Sequence, residues 1–193
     1  PNVKDSALYT PLIYATKAQK ASTVDALLQA GADPDDVEGD GWSPLHFATF
    51  TRYVDIIALL AKAGANPYLE NKLQVSPMSL ASERGDTAIV EVLQDNLPMY
   101  EKRRAALHEQ AELGRRLVEA AKTGNENEMK ALIDMGVDVH GKNENGWTAL
   151  TFAAGVGSLH NVRLLIEAGC NVNDQEKDGW TPLMFAAYQG HAH

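Results

Sequence analysis

SPLHFA at residues 43–48 decides the fold, because the chain repeats it. TPLIYA occupies 10–15 and SPMSLA occupies 76–81, so three hexamers begin at even spacing, at positions 10, 43 and 76. TALTFA (148–153) and TPLMFA (181–186) stand apart by the same interval. Ala120-Ala121 precede Ala153-Ala154 by that interval again and mark a degenerate sixth copy from Arg115. This copy lies further from the third than the common period would place it, so extra residues sit between them. All three tryptophans obey the register: Trp42, Trp147 and Trp180 each directly precede the Ser or Thr of a hexamer. A fixed period of about 33 residues signals stacked supersecondary units.

Each copy has a readable physical form. Ser43 or Thr181 suits an N-cap, accepting a backbone N–H from the first helical turn. Pro11, Pro44, Pro77 and Pro182 follow at the first helical position, where the missing N–H costs nothing. Small alanines (Ala15, Ala48, Ala81, Ala153, Ala186) line one side of this short helix. A second helix carries an aliphatic stripe, such as Ile56, Ile57, Leu59 and Leu60. Gly31, Gly64, Gly136 and Gly169 are expected to end it in the left-handed conformation. Polar hairpin segments follow, among them Asp33–Asp40 and Asn171–Asp178. One such unit cannot bury its own apolar face, so neighbours must stack.

These residues resemble the ankyrin repeat family. The resemblance rests on the period, on SPLH at 43–46, and on the phrases GADP (31–34), GANP (64–67), GVDV (136–139) and GCNV (169–172). It covers the chain except roughly 97–114. It implies an all-α fold: an ankyrin-repeat solenoid of stacked helix pairs with β-hairpin loops. The departures are local. Gln19 and Arg52 stand where the family has glycine between helices. Only His46 fills the histidine position of the TPLH motif, and a structural hydrogen-bonding role is implied for it.

The order of caps is unusual. The third copy is polar and lacks the Gly-Ala-Asp ending, so it reads as a C-cap. The fourth lacks the Thr-Pro start and extends backward as a charged helix, so it reads as an N-cap. The expected organisation is therefore repeats over 1–97, a helical connector over 98–114, and repeats over 115–193 that stop inside a copy. Three explanations stand: a permuted order of an ordinary array, a piece of a longer one, or open half-solenoids that stack end-on. The last would give end-to-end self-association through uncapped terminal repeats.

Composition narrows the function classes. The net charge of -9 argues against nucleic acid, whose binders show a basic face, and against an anionic membrane surface. No apolar run reaches the ~18 residues of a spanning helix. A single cysteine, Cys170, excludes an internal disulfide and a multi-Cys zinc site; it is expected to behave as a small apolar residue. No phosphate loop, metalloprotease helix or nucleophile elbow appears. No cofactor, metal or catalytic residue is expected, and a cytoplasmic setting is, with the nucleus as alternative. Lys102-Arg103-Arg104 reads as a solvated helix face, with a nuclear signal as the sharper reading. Asp33, Asp35, Asp36, Glu38 and Asp40 read as a solvated hairpin tip, with an acidic finger for a basic partner as the sharper reading. His191 and His193 could share a metal, though a frayed terminus is the plainer reading.

The family geometry implies a concave face of hairpin tips and inner helices. Residues just before each Ser/Thr project there: Tyr9, Trp42, Val75, Trp147 and Trp180. Residues after the Ala pair do so too, including Lys17, Phe50, Thr51, Glu83, Arg84, Val156, Tyr188 and Gln189. The candidate partner-binding set is Tyr9, Asp40, Trp42, Phe50, Thr51, Trp147, Val156, Trp180 and Tyr188. Aromatics anchor interfaces because they bury large area with few torsions; the competing role is bracing the hairpin base. The expected function is a non-enzymatic scaffold for a partner protein or peptide, one of basic character if the acidic finger serves it. The alternatives are a targeting module of a larger enzyme or secreted effector, and an end-stacking assembly unit.

Overall fold

The computed structural model describes residues 1–143 and 145–191, and its regular elements there are eleven helices and no strand. The chain divides into two compact units, Pro1–Ala105 and Ala106–His193. His193, half of the histidine pair singled out above, lies outside the described residues.

The first unit stacks three helix pairs: α1 (Pro11–Lys17) with α2 (Ala21–Gln29), α3 (Pro44–Thr51) with α4 (Val54–Lys62), and α5 (Pro77–Glu83) with α6 (Thr87–Asp95). Inner helix α3 packs between α1 and α5, and outer helix α4 between α2 and α6. Thr10, Ser43 and Ser76 cap the inner helices, each accepting the N–H of the residue three places on. Leu12, Leu45, Ile57, Leu60 and Leu93 fill the core, with Ala48 and Ala81 where inner helices approach. Thus the small residues sit where backbones must come close, and the aliphatic stripe of each outer helix points inward.

The second unit contains α8 (Glu126–Asp134), α9 (Ala149–Gly155), α10 (Leu159–Glu167) and α11 (Pro182–Tyr188). Helix α9 packs on α10 and α11, and α10 on α8. Leu117, Met129, Leu132, Leu150 and Leu165 form its core. The expected connector is part of one longer helix, α7 (Leu97–Thr123), which continues into the first helix of the fourth copy. That copy has no Thr-Pro start to break the helix, so the helix runs on.

The hairpin segments are turns held from within. In each, one side chain accepts two backbone N–H groups, two and four residues on. Asp5, Glu38, Asn71, Asn143 and Glu176 do this at 2.9–3.1 Å. Adjacent turns are joined by single backbone bonds, Lys72 N–H to the Asp40 carbonyl (3.1 Å) and Lys177 N–H to the Asn145 carbonyl (3.2 Å). A Cβ at Gly41 would come within 3.1 Å of the Asn71 backbone, and one at Gly146 within 3.1 Å of the Glu176 backbone. Glycine at these two positions lets successive turns nest. The left-handed sites between helices are met by Gln19 (φ 58) and Arg52 (φ 60), where later copies use Gly85, Gly124, Gly157 and Gly190. Arg52 offsets that cost with an ion pair to Asp86 at 2.7 Å.

Two expectations change at the residue level. The acidic hairpin is largely engaged within the molecule. Asp36 pairs with Lys4 at 2.8 Å, Asp33 with Arg103 at 2.7 Å, and Asp35 with Arg103 while accepting the Asn66 N–H. Glu38 holds its own turn, which leaves the Asp40 carboxylate as the exposed tip. For the same reason Arg103 is not part of a solvated face: it clamps α7 onto the hairpin.

Candidate functional site

All nine candidate contact residues fall into two clefts, one in each unit. The first cleft is lined by Tyr9, Lys17, Glu38, Asp40, Trp42, Phe47, Phe50 and Thr51 and measures about 370 Å³. The second brings together Trp147, Phe152, Val156, Glu176, Asp178, Trp180, Phe185 and Tyr188 and measures about 750 Å³. Each lies between two successive hairpins and the inner helices behind them.

The positions follow from local structure. Each Trp precedes an N-cap, so extended backbone carries its ring over the start of the inner helix. Its own N–H is held by the turn-forming carboxylate or amide. Trp42 stacks obliquely on Phe47 (5.2 Å) and meets Phe50 edge-on (5.5 Å). Trp180 does the same with Phe185 (5.2 Å) and Tyr188 (5.5 Å). Trp147 lies against both Phe152 (4.8 Å) and Phe185 (4.6 Å). One face of each ring therefore braces the inner helix while its edge borders the cleft. Trp180 is 37% exposed and Tyr188 74%.

The two clefts are the same cleft in register. EGDGW at 38–42 recurs as EKDGW at 176–180. When these two segments are aligned, Tyr9 matches Trp147, Trp42 matches Trp180, Phe47 matches Phe185 and Phe50 matches Tyr188. Asp40 matches Asp178 on the rim. The phenylalanines Phe47, Phe152 and Phe185 were not among the expected contact residues. Their signal was a Phe five places after each Trp, which is legible in the sequence once the register is known.

Other candidates lie elsewhere. The Val75 side chain is outside both clefts, and its carbonyl accepts a hydrogen bond from His46 Nε2–H at 3.0 Å. His46 Nδ1 accepts the Ser43 N–H at 3.1 Å, completing a capping box. Burial holds the His46 imidazole below its ordinary pKa, opposed by its bond to Val75. The Arg84 guanidinium stands 4.5 Å from the Phe50 ring and donates to the Phe50 carbonyl at 2.9 Å. Cys170 is buried, and burial first, then Asp174 and Asp138, pushes its thiol up to about 11; such a thiol is inert. Among the described residues no cluster of His, Cys, Asp or Glu could hold a metal ion. No helix among them is long and apolar enough to cross a membrane.

Comparison with known proteins defines the class. A family model described as ankyrin repeats (3 copies) matches residues 1–71 and 117–193, and the chain belongs to that family. Repeats of this kind mediate protein–protein interaction. The chain is similar to neurogenic locus notch homolog protein 1 of Danio rerio, 39% identical over 71 residues, which is 37% of this chain and 3% of that protein. It is similar to potassium channel AKT2/3 of Arabidopsis thaliana, 31% identical over 147 residues, 74% of this chain and 17% of the channel. It is also similar to the 2-5A-dependent ribonuclease of Homo sapiens, 35% identical over 79 residues, 40% of this chain and 11% of that enzyme. The chain thus spans under a fifth of the length of these relatives.

Proposed function

We propose that this chain is a non-enzymatic interaction scaffold. It binds a partner protein or peptide on the hairpin and inner-helix face of each unit, with the aromatic cleft of that unit as an anchor point. The observation that carries the reading is the duplication: rings, rim carboxylate and turn-forming glutamate recur together in both units. Packing alone needs one face of each ring, and the exposed edges of Phe50, Trp180 and Tyr188 exceed that need. Preformed aromatic clefts bind with little ordering cost.

The test begins by finding the partner through photo-crosslinking from position 189. That partner is then titrated against Trp42→Ala/Phe50→Ala and Trp180→Ala/Tyr188→Ala. Each pair is expected to weaken binding about tenfold or more while the circular dichroism melt is retained. Full affinity in both variants would sink the proposal. Loss of the melt would assign these rings to bracing.

A second reading has its own support. The relatives are much longer proteins, named as a ribonuclease and a channel among others. The chain would then be the targeting module of a larger protein, and catalytic sequence in the same gene would select it. End-on assembly would use the apolar groove lined by Leu159, Val162, Ile166, Val172 and Leu183; concentration-dependent mass in sedimentation would select that.

A further inference from the structure

We infer that the cleft of the second unit receives the ammonium group of a lysine from the partner. The inference rests on the proposed binding face and names what that face recognises.

The first unit contains the precedent. There the Lys17 ammonium lies inside the cleft, 4.5 Å from the Tyr9 ring centre and 4.9 Å from that of Phe47. It also donates to the Tyr9 hydroxyl at 3.3 Å. Arg84 also stands over a ring, that of Phe50, at 4.5 Å. The first unit thus meets its own aromatic rings with its own cations.

The second unit keeps the receptor and lacks the cation. In the register that matches EGDGW to EKDGW, Lys17 corresponds to Gly155, which has no side chain to offer. The rings are Trp147 and Phe185, and indole is the better cation acceptor. The carboxylates of Glu38 and Asp40 recur as Glu176 and Asp178. The cleft measures about 750 Å³ against about 370 Å³ and takes in more residues, while its two rings stand closer, 4.6 Å against 6.4 Å between Tyr9 and Phe47. Lys122 and Lys177 also line it. Lys122 is paired with Glu119 at 3.3 Å, and among the described residues no cation stands over a ring in this unit. Among the described residues neither lysine is ion-paired with Glu176 or Asp178, so the ring faces and these carboxylates together meet the incoming cation. A single cation on a four-carbon stem fits the vacated position, as Lys17 does in the other unit.

The experiment uses the three indole N–H signals of a ¹⁵N-labelled chain as site-specific reporters. The probe is a capped glycine–serine pentapeptide with lysine at its centre, compared with its norleucine counterpart. The lysine peptide is expected to shift the Trp147 and Trp180 signals and leave Trp42 unmoved. It should bind about fivefold tighter than the norleucine peptide, the ratio that one exposed cation–π contact supplies. Gly155→Lys plants the chain's own cation and should abolish the response. A Cβ at Gly155 meets nothing within 4 Å, so the change is accommodated. Lys17→Gly should make the Trp42 signal responsive. Equal binding of the two peptides overturns the inference and leaves the binding face standing. Absence of any shift, or a response that survives Gly155→Lys, overturns it as well. The partner titration above judges the face independently.

Discussion

His46 and Asn161 show how single positions set the stability of a repeat. His46 ties the cap of α3 to the next hairpin, accepting at Nδ1 from Ser43 and donating from Nε2 to Val75. Protonation would place a hydrogen on Nδ1 and break the first bond. Its folded pKa lies below the ordinary value near 6.5 because of burial. The unfolded chain therefore binds the proton first as pH falls. The stabilisation is present above the unfolded value and is lost as pH drops through the folded one. The urea midpoint is expected to be lower at pH 5 than at pH 7.5. His46→Ser, the serine that α5 uses at Ser79 for the same capping box, should flatten that difference. Asn161 is fully buried on α10, and neither of its amide atoms has a partner among the described residues. Its register equivalents on α4 and α6 are Ile56 and Ile89, both buried in the first unit, while α2 carries Thr23 and α8 carries Glu128 there. Asn161→Ile should raise the free energy of unfolding by about 1–3 kcal/mol, the cost of an unpaired buried amide, as read from chemical denaturation. An unchanged or lower midpoint would contradict this register.

At the scale of elements, each helix pair depends on its neighbours. Leu60 on α4 is fully buried in the first unit's core. Leu60→Ala should cost about 2–5 kcal/mol, from lost transfer free energy and the cavity left behind, measured by urea unfolding. Helix α7 shows where patterns in the sequence mislead. Its Lys102-Arg103-Arg104 run reads as a charged face, yet Arg103 reaches back to Asp33 and Asp35, two repeats earlier in the chain. The Met99 carbonyl and Arg103 Cβ also lie within 3.0 Å of where a Gly64 side chain would begin. Spacing along a helix cannot reveal a partner that far away in the chain. The caps of α1, α3, α5, α9 and α11, by contrast, are local bonds spanning three positions, and the hexamers made each one legible.

For the whole molecule, the net charge of -9 has less directed acidity than the sequence implies, because the hairpin carboxylates are mostly paired internally. What remains at the cleft rims is Asp40 and Asp178. Association with a basic partner should slow only modestly as salt rises, since two rim charges are screened over about 10 Å at 0.1 M. Stopped-flow rates between about 50 and about 500 mM salt check this; a steep dependence would mean that further carboxylates take part.

The period, the caps and the inward stripes followed from the sequence alone, and with the family resemblance so did nine of the residues bordering the clefts, though not Phe47, Phe152 or Phe185. Each depends on contacts between near neighbours in the chain, or on one offset repeated along it. Which charges are already spent, and which ring cleft holds its own cation, was decided only by the tertiary structure. Those facts depend on side chains from different repeats meeting in space, and no local spacing encodes them.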